Sequence, residues 1–386
     1  MANDKIRIRM YQLGFGDCYL VSVPDGSKTR HICVDFGNVA GKGGRNAPFE
    51  TIAKDIEKET NGHLDVAVMT HEHMDHMEGY YHQRKIFNRM TVDWVWMSAP
   101  SHPDYYEKYP NARPVKKLQQ LTDAFHRQVG KRRIGLAPSF DTLLRNNLSN
   151  VDRVNYLREL PKKGVLYLRR GNSVRRKPFR HVKCRVMAPE KDMSVYYGRR
   201  SQQHLHHMIN SLAASAGESS DDRWEFPHVK QSKRPPQLSD SDWKRLRGRI
   251  MRGSVEGIRT IDKAKNNTSL VFQLSVGERS LLFTGDAELR SWDKLVEKNQ
   301  SWLKPVDFMK ISHHGSHNGT PLDMLDTLLP RSRKDKAKIM VSTKRHVYGT
   351  KNPVPDESLM NELSTRGELI NSDGMDEPWI DVVLDV

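Results

Sequence analysis

The 386-residue sequence predicts an α/β domain in which two sheets pack face to face with helices outside, interrupted by a long basic insert. Three observations predict it. Strand-like and helical stretches alternate in both halves of the chain. An apolar run, Leu64-Asp65-Val66-Ala67-Val68-Met69, ends abruptly in Thr70-His71-Glu72-His73-Met74-Asp75-His76. The positive charge is concentrated between the two halves.

Residues 5–12, 18–23 and 30–35 read as strands, with the turn Gly14-Phe15-Gly16-Asp17 between the first two. Phe49, Ile52, Ala53 and Ile56 fall at helical spacing and predict a helix over about 48–60, stopped by Asn61-Gly62. The strand at 64–69 leads into the histidine run, and a further helix follows Met77. Val92-Asp93-Trp94-Val95-Trp96-Met97 reads as a largely buried strand. In the second half, runs at 268–275 and 279–284 flank Gly277 as a hairpin. Helices near 287–298, 321–329 and 356–365 alternate with strands at 306–311 and 338–342, and Trp379 to Val386 reads as a closing strand. The domain division expected is therefore 1–100, a first half; 101–261, a basic and mostly helical insert with a mobile loop; and 262–386, a second half. Within the insert, Leu118, Leu121, Phe125 and Val129 have helical spacing, as do Leu144, Leu148, Val151 and Val154. The basic cluster from Arg169 to Arg180 reads as a hairpin. Residues 216–242, rich in Ser, Asp, Pro and Lys, form the expected loop.

Charge placement says more than the total. The chain holds 63 Lys/Arg against 47 Asp/Glu, a net of +16. Residues 101–260 alone hold 34 and 15, a net of +19, which leaves −3 for the remainder. Such a concentration is the electrostatic footprint of a phosphate-rich partner, and a solvated surface is the plainer alternative. No apolar run approaches the ~20 residues of a membrane span. Met1-Ala2-Asn3-Asp4-Lys5 has no signal-peptide core behind it. Cys18, Cys33 and Cys184 are too few and scattered for a disulfide framework. A cytoplasmic protein without a membrane partner is the expectation.

The histidine run carries the chemistry. Three imidazoles and the Asp75 carboxylate within six residues of a strand end supply what a divalent cation requires. Ile32-Cys33-Val34-Asp35-Phe36-Gly37 ends another strand in Asp-x-Gly. Later come Asn266-Asn267-Thr268-Ser269-Leu270-Val271, then Leu281-Leu282-Phe283-Thr284-Gly285-Asp286, then Met309-Lys310-Ile311-Ser312-His313-His314-Gly315-Ser316. In this order they resemble the metallo-β-lactamase fold superfamily. Thr-Gly-Asp paired with His-His-Gly-Ser resembles the branch holding the hydrolase domain of the competence protein ComEC and the bacterial phosphorylcholine esterases. The resemblance covers residues 1–100 and 262–386.

That resemblance implies an αββα sandwich with two divalent metal ions, Zn²⁺ or Mn²⁺, with Mg²⁺ a further option. His71 and His73 would bind the first. Asp75 and His76 would bind the second, with Asp286 bridging and His314 completing it. Asp75 and His313 are the residues implied in catalysis, His313 facing substrate. Asp35 reads either as a group orienting a ligand or as a plain strand-end turn residue. His317 could donate a proton or be a surface histidine. The branch's Tyr-Gly-His-Pro run reads here Tyr348-Gly349-Thr350-Lys351-Asn352-Pro353; its histidine is absent, and Lys351 reads either as a substituted substrate contact or, more plainly, as an exposed lysine. A further metal histidine of much of the superfamily is also missing. His181, His204, His206 and His207 stand there by position only; water or a substrate oxygen would fill the place.

Three functions follow as expectations. The first is a phosphodiesterase or nuclease using a two-metal activated water on DNA or RNA, bound through the basic insert. The second is a small-molecule hydrolase of a lactone, phosphoester or cyclic nucleotide. The third is a subunit of a larger nucleic-acid-processing or defence assembly, regulated by a protein partner.

Overall fold

The computed structural model describes residues 5–39, 48–131, 138–174, 178–196, 207–211, 239–345, 347 and 353–386. Two seven-stranded sheets organise it. Across the first lie Trp379–Asp385 (β14), Lys5–Tyr11 (β1), Cys18–Asp25 (β2), Lys28–Phe36 (β3), His63–Met69 (β4), Thr91–Ser98 (β5) and Gly164–Leu168 (β6). Across the second lie Gly367–Asn371 (β13), Ala337–Val341 (β12), Phe308–Lys310 (β11), Arg279–Phe283 (β10), Val271–Val276 (β9), Lys183–Ala188 (β8) and Ser173–Val174 (β7). The sheets share one plan. β14-β1-β2-β3 and β7-β8-β9-β10 pair antiparallel, whereas β3-β4-β5-β6 and β10-β11-β12-β13 pair parallel.

Alternation along the strands buries one face of each sheet against the other. Ile6, Ile8, Val21, Val34, Val66 and Val68 meet Val186, Phe272, Leu274, Leu281 and Phe283 in one apolar cluster. Each such side chain, fully withdrawn from water, contributes about 1.5–3 kcal/mol. The outer face of the first sheet is covered by the helices Phe49–Glu59, Met74–His82 and Val151–Glu159, through Phe49, Ile52, Met77, Tyr80, Val154 and Leu157. On the outer face of the second, Leu289–Asn299 and Glu357–Arg366 contribute Trp292, Leu295, Leu359 and Leu363. The chain thus adopts the αββα sandwich that the sequence predicts.

The middle of the chain differs from the expectation of a mostly helical insert. It divides between two compact units: residues 150–191 belong with 1–103 and 265–386, while 104–149 and 192–264 form the second unit. Residues 150–191 supply β6, β7 and β8, and β6 pairs with β5 while β8 pairs with β9. β7 and β8 pair antiparallel about the basic cluster read as a hairpin, whereas β6 escapes sequence reading because it is only five residues long. β13 escapes it because Gly367–Asn371 is mostly half-buried and carries no apolar run. The charge divides too, at net +10 for residues 150–191 and +9 for the second unit. In the second unit, Arg113–Lys131, Pro138–Asn146 and Asp240–Asn266 are helices. Leu118, Leu121, Phe125, Leu144, Ile258 and Ile261 form its core. Most of the expected loop at 216–242 lies outside the described residues. Among the described residues, no helix is long and apolar enough to cross a membrane.

Candidate metal centre

Parallel strands direct their carboxyl ends to one edge, and loops leaving such ends form crevices. Here β3 ends in Asp35, β4 runs into Thr70 and His71, β10 into Gly285 and Asp286, β11 into His313 and His314, and β12 into Ser342. Ligating atoms from Asp75, His76, Asp286 and His314 all lie within 4.8 Å of one another, and all four residues are buried.

Close backbone approach sets the histidine run in place. A Cβ on Gly37 would stand 2.2 Å from the Met74 carbonyl oxygen, so only glycine lets the end of β3 meet the start of the Met74–His82 helix. Asp35 takes a left-handed φ of 57°. From there it accepts the backbone N–H and the hydroxyl of Thr70, each at 2.7 Å, and faces His76 Nδ1 at 2.8 Å. A carboxylate behind a histidine fixes the ring so that Nε2 is presented forward. His314 is held likewise, Nδ1 donating to the Ser342 carbonyl at 2.8 Å. Both His313 and His314 adopt left-handed backbone, with φ of 49° and 53°. Such residues cost about 1–3 kcal/mol each and collect at functional sites.

Forward of these anchors, His76 Nε2 stands 3.2 Å from Asp286 Oδ2. His314 Nε2 stands 3.2 Å from both Asp75 Oδ2 and Asp286 Oδ2. Asp75 Oδ1 and His76 Nε2 are buried without a hydrogen-bond partner. Burial alone would neutralise His76, but Asp286, Asp35, Asp75 and Asp17 push its pKa well above the usual imidazole value. For His314 burial is likewise outweighed, chiefly by Asp286, and the pKa rises to about 10. The Asp75 carboxyl, raised by burial, is brought down to about 2 by His76 and His314. Buried carboxylates that hold two imidazolium rings are a donor set matched to a cation, because a divalent ion can replace both protons.

The His71–His73 side is different. His71 Nε2 and His73 Nδ1 face each other at 2.9 Å. That is a hydrogen-bond distance, whereas two nitrogens bound at 2.0–2.1 Å to one tetrahedral cation stand about 3.3 Å apart, so an ion held by both would part the rings by about 0.4 Å. Burial, then the neighbouring His76 and His73 rings, holds His71 well below its usual value. Burial and Lys265 hold His73 at about 3. Both rings are therefore neutral at pH 7.

Three contributors had drawn no functional reading from the sequence. Lys310 Nζ, fully buried, sits 2.5 Å from Asp17 Oδ2 and 3.2 Å from Asp286 Oδ1, and donates to the Gly285 carbonyl at 2.7 Å. It occupies one Asp286 oxygen, leaving Oδ2 to face the histidines. The available signal was a lysine inside the buried run 308–311. Asp17 accepts from the Ser342 hydroxyl and donates its backbone N–H to the Asp75 carbonyl. Asn266 Nδ2 donates to Glu288 Oε1 at 3.0 Å and lies 3.3 Å from His313 Nε2. His313 Nδ1 faces Asn318 Oδ1 at 3.1 Å; an amide oxygen only accepts, so the proton resides on Nδ1.

The remaining candidates lie elsewhere. His317 is exposed, and its charge is felt by Asp356 at the start of the Glu357–Arg366 helix. Lys351, His204 and His206 fall outside the described residues. His181 donates its backbone N–H to Asp25, and His207 is exposed in the second unit. Neither enters a donor cluster among the described residues. A further cluster, His63, Asp65 and Asp93, is already matched by Arg30 and Lys163.

No family model and no curated protein matches the chain. Among solved structures, CmlA, a diiron beta-hydroxylase from Streptomyces venezuelae, is 13% identical with a TM-score of 0.38, over 98% of this chain and 54% of that one. A mutant of the CmlA beta-hydroxylase gives 12% and 0.40, over 98% and 54%. The metallo-beta-lactamase fold protein YhfI from Bacillus subtilis gives 7% and 0.36, over 97% and 99%. The chain spans about half the length of the two hydroxylase structures. Likenesses this distant leave the chemistry of this chain to its own residues.

Proposed function

We propose that this chain is a metal-dependent hydrolase of phosphate diesters, with nucleic acid as its substrate. The observation that carries this reading is the convergence of Asp75, His76, Asp286 and His314 donors within 4.8 Å, beside the facing nitrogens of His71 and His73. Such a set suits two cations, which when bound would lower the pKa of a shared water towards about 7 and offset negative charge on the oxygens of the attacked phosphate. Asp35 and the Ser342 carbonyl orient His76 and His314. Lys310 keeps one Asp286 oxygen out of the centre. His313, protonated on Nδ1, offers Nε2 to Asn266; to protonate a leaving oxygen it must first take a proton at Nε2, with Asn266 moving aside.

Acyl and phosphoryl transfer both suit this centre. Net charge favours the phosphodiester, since +19 of it falls within residues 101–260. With Mn²⁺ or Zn²⁺ supplied, the purified chain should cleave both an oligonucleotide and bis(p-nitrophenyl) phosphate. An Asp75→Ala/His76→Ala variant should do neither, and equal cleavage by it would end this reading.

A further inference from the structure

The Asp240–Asn266 helix concentrates five of its eight Lys and Arg residues on one side. At 100° per residue, Arg245, Arg249, Arg252, Arg259 and Lys263 fall within a sector about 80° wide and about 27 Å long. All five are exposed. Ser254, Ile258 and Ile261 lie on the opposite face and are buried, the two isoleucines in the unit's core. Glu256 is the one acidic residue in the sector.

A solvated helix face would carry both signs interspersed. The helices of the sandwich do so. On Glu357–Arg366, Glu362 meets Arg331 and Arg366, and on Leu289–Asn299, Lys294 meets Glu297 while Lys298 meets Glu190. On the long helix, Arg245 pairs with Asp242 one turn from the helix start. Arg249, Arg252 and Arg259 have no ion-pair partner among the described residues. Guanidinium groups left in water at intervals along one straight face match a ligand whose charges are also serial. Arginine's planar fork suits phosphate in particular.

We infer that this face is a backbone-tracking surface for a nucleic acid strand, engaged by Arg249, Arg252 and Arg259. The inference rests on the nucleic-acid reading above and names the surface that reading requires. Because these residues lie outside the metal centre, its test separates from the test of catalysis.

Binding of a fluorescein-labelled phosphorothioate oligonucleotide to the full chain, loaded with Mn²⁺, is followed by anisotropy over a range of salt. Each phosphate contact contributes about 0.7–0.9 to the slope of log affinity against log salt. Arg249→Gln/Arg252→Gln/Arg259→Gln should therefore lower that slope by about 2 to 3, whereas the triple Lys variant should keep it. Hydrolysis of bis(p-nitrophenyl) phosphate should be the same in all three proteins. If the Gln triple variant loses its circular-dichroism spectrum, the single substitutions serve, each lowering the slope by about 1. An unchanged slope in the folded variants overturns the inference. So does loss of binding to phosphatidylserine vesicles with oligonucleotide binding intact, which would make the face a membrane contact. Oligonucleotide binding with the expected slope loss, but no hydrolysis of the small diester, would keep the surface and sink the catalytic reading instead.

Discussion

The two halves of the candidate metal centre solve opposite electrostatic problems. His71 and His73 are neutral imidazoles facing each other, with no carboxylate between them and Lys265 pressing on His73. Asp75, His76, Asp286 and His314 form a buried charged cluster in which two carboxylates hold two imidazolium rings. The first half can take up a cation with both rings already neutral. The second must exchange protons for one. Adjacent ligand pairs from a single seven-residue run thus come to differ because of what distant strands bring beside them.

The comparison breaks most completely at Asp286. Asp286→Asn removes the charge that His76, His314 and Lys310 share, and an uncompensated buried charge costs about 3–5 kcal/mol. Metal content by elemental analysis should fall at both positions, and hydrolysis by more than about 100-fold, exceeding what loss of a supporting partner costs. His71→Ala/His73→Ala should act on one side alone. Metal content should fall from two per chain to one, with the Asp75–His76 position still filled; loss of both ions would show the halves to be inseparable.

A smaller effect is expected behind the ligands. Asp35→Asn keeps the shape but weakens the hold on His76, and should cost about 10–100-fold in affinity at the second position while sparing the first. Calorimetric metal titration would resolve the two.

Protons sharpen the comparison further. The folded-state pKa of His314, about 10, lies above the ordinary 6.5, so its protonated ring stabilises the metal-free fold fully below about pH 6.5. That contribution is lost as pH rises towards about 10. Metal uptake at the second position should accordingly release protons at pH 7 and weaken as pH falls, while uptake at His71 and His73 releases few. Titrations in two buffers of different ionisation enthalpy measure this, and equal proton release at both positions would contradict the assignment.

Legibility in the sequence follows the range of the interaction. The His71–His76 run is local and was readable directly. Asp286 and His314 are singled out only by the resemblance that Thr-Gly-Asp and His-His-Gly-Ser carry, not by anything local that marks them as ligands. Asp17 and Asn266 were not readable, because each matters through groups far along the chain, Ser342 for Asp17 and Glu288 with His313 for Asn266. Strands β6 and β8 are hidden for a related reason: β6 is five residues long and is stabilised by β5, and β8, in which Lys183 and Arg185 alternate with apolar residues, is stabilised by β9.

By itself the sequence determined the layered alternation of strands and helices, the clustering of three imidazoles and a carboxylate at one strand end, and the basic middle. Only the tertiary structure decided which donors share a point, which histidines carry protons, and which arginines lack an ion-pair partner among the described residues. The physical reason is that like charges and desolvated donors repel or cost energy when brought together. A short stretch of chain cannot offset that cost, whereas Lys310, Asp35 and the Ser342 carbonyl, delivered by separate strands, can.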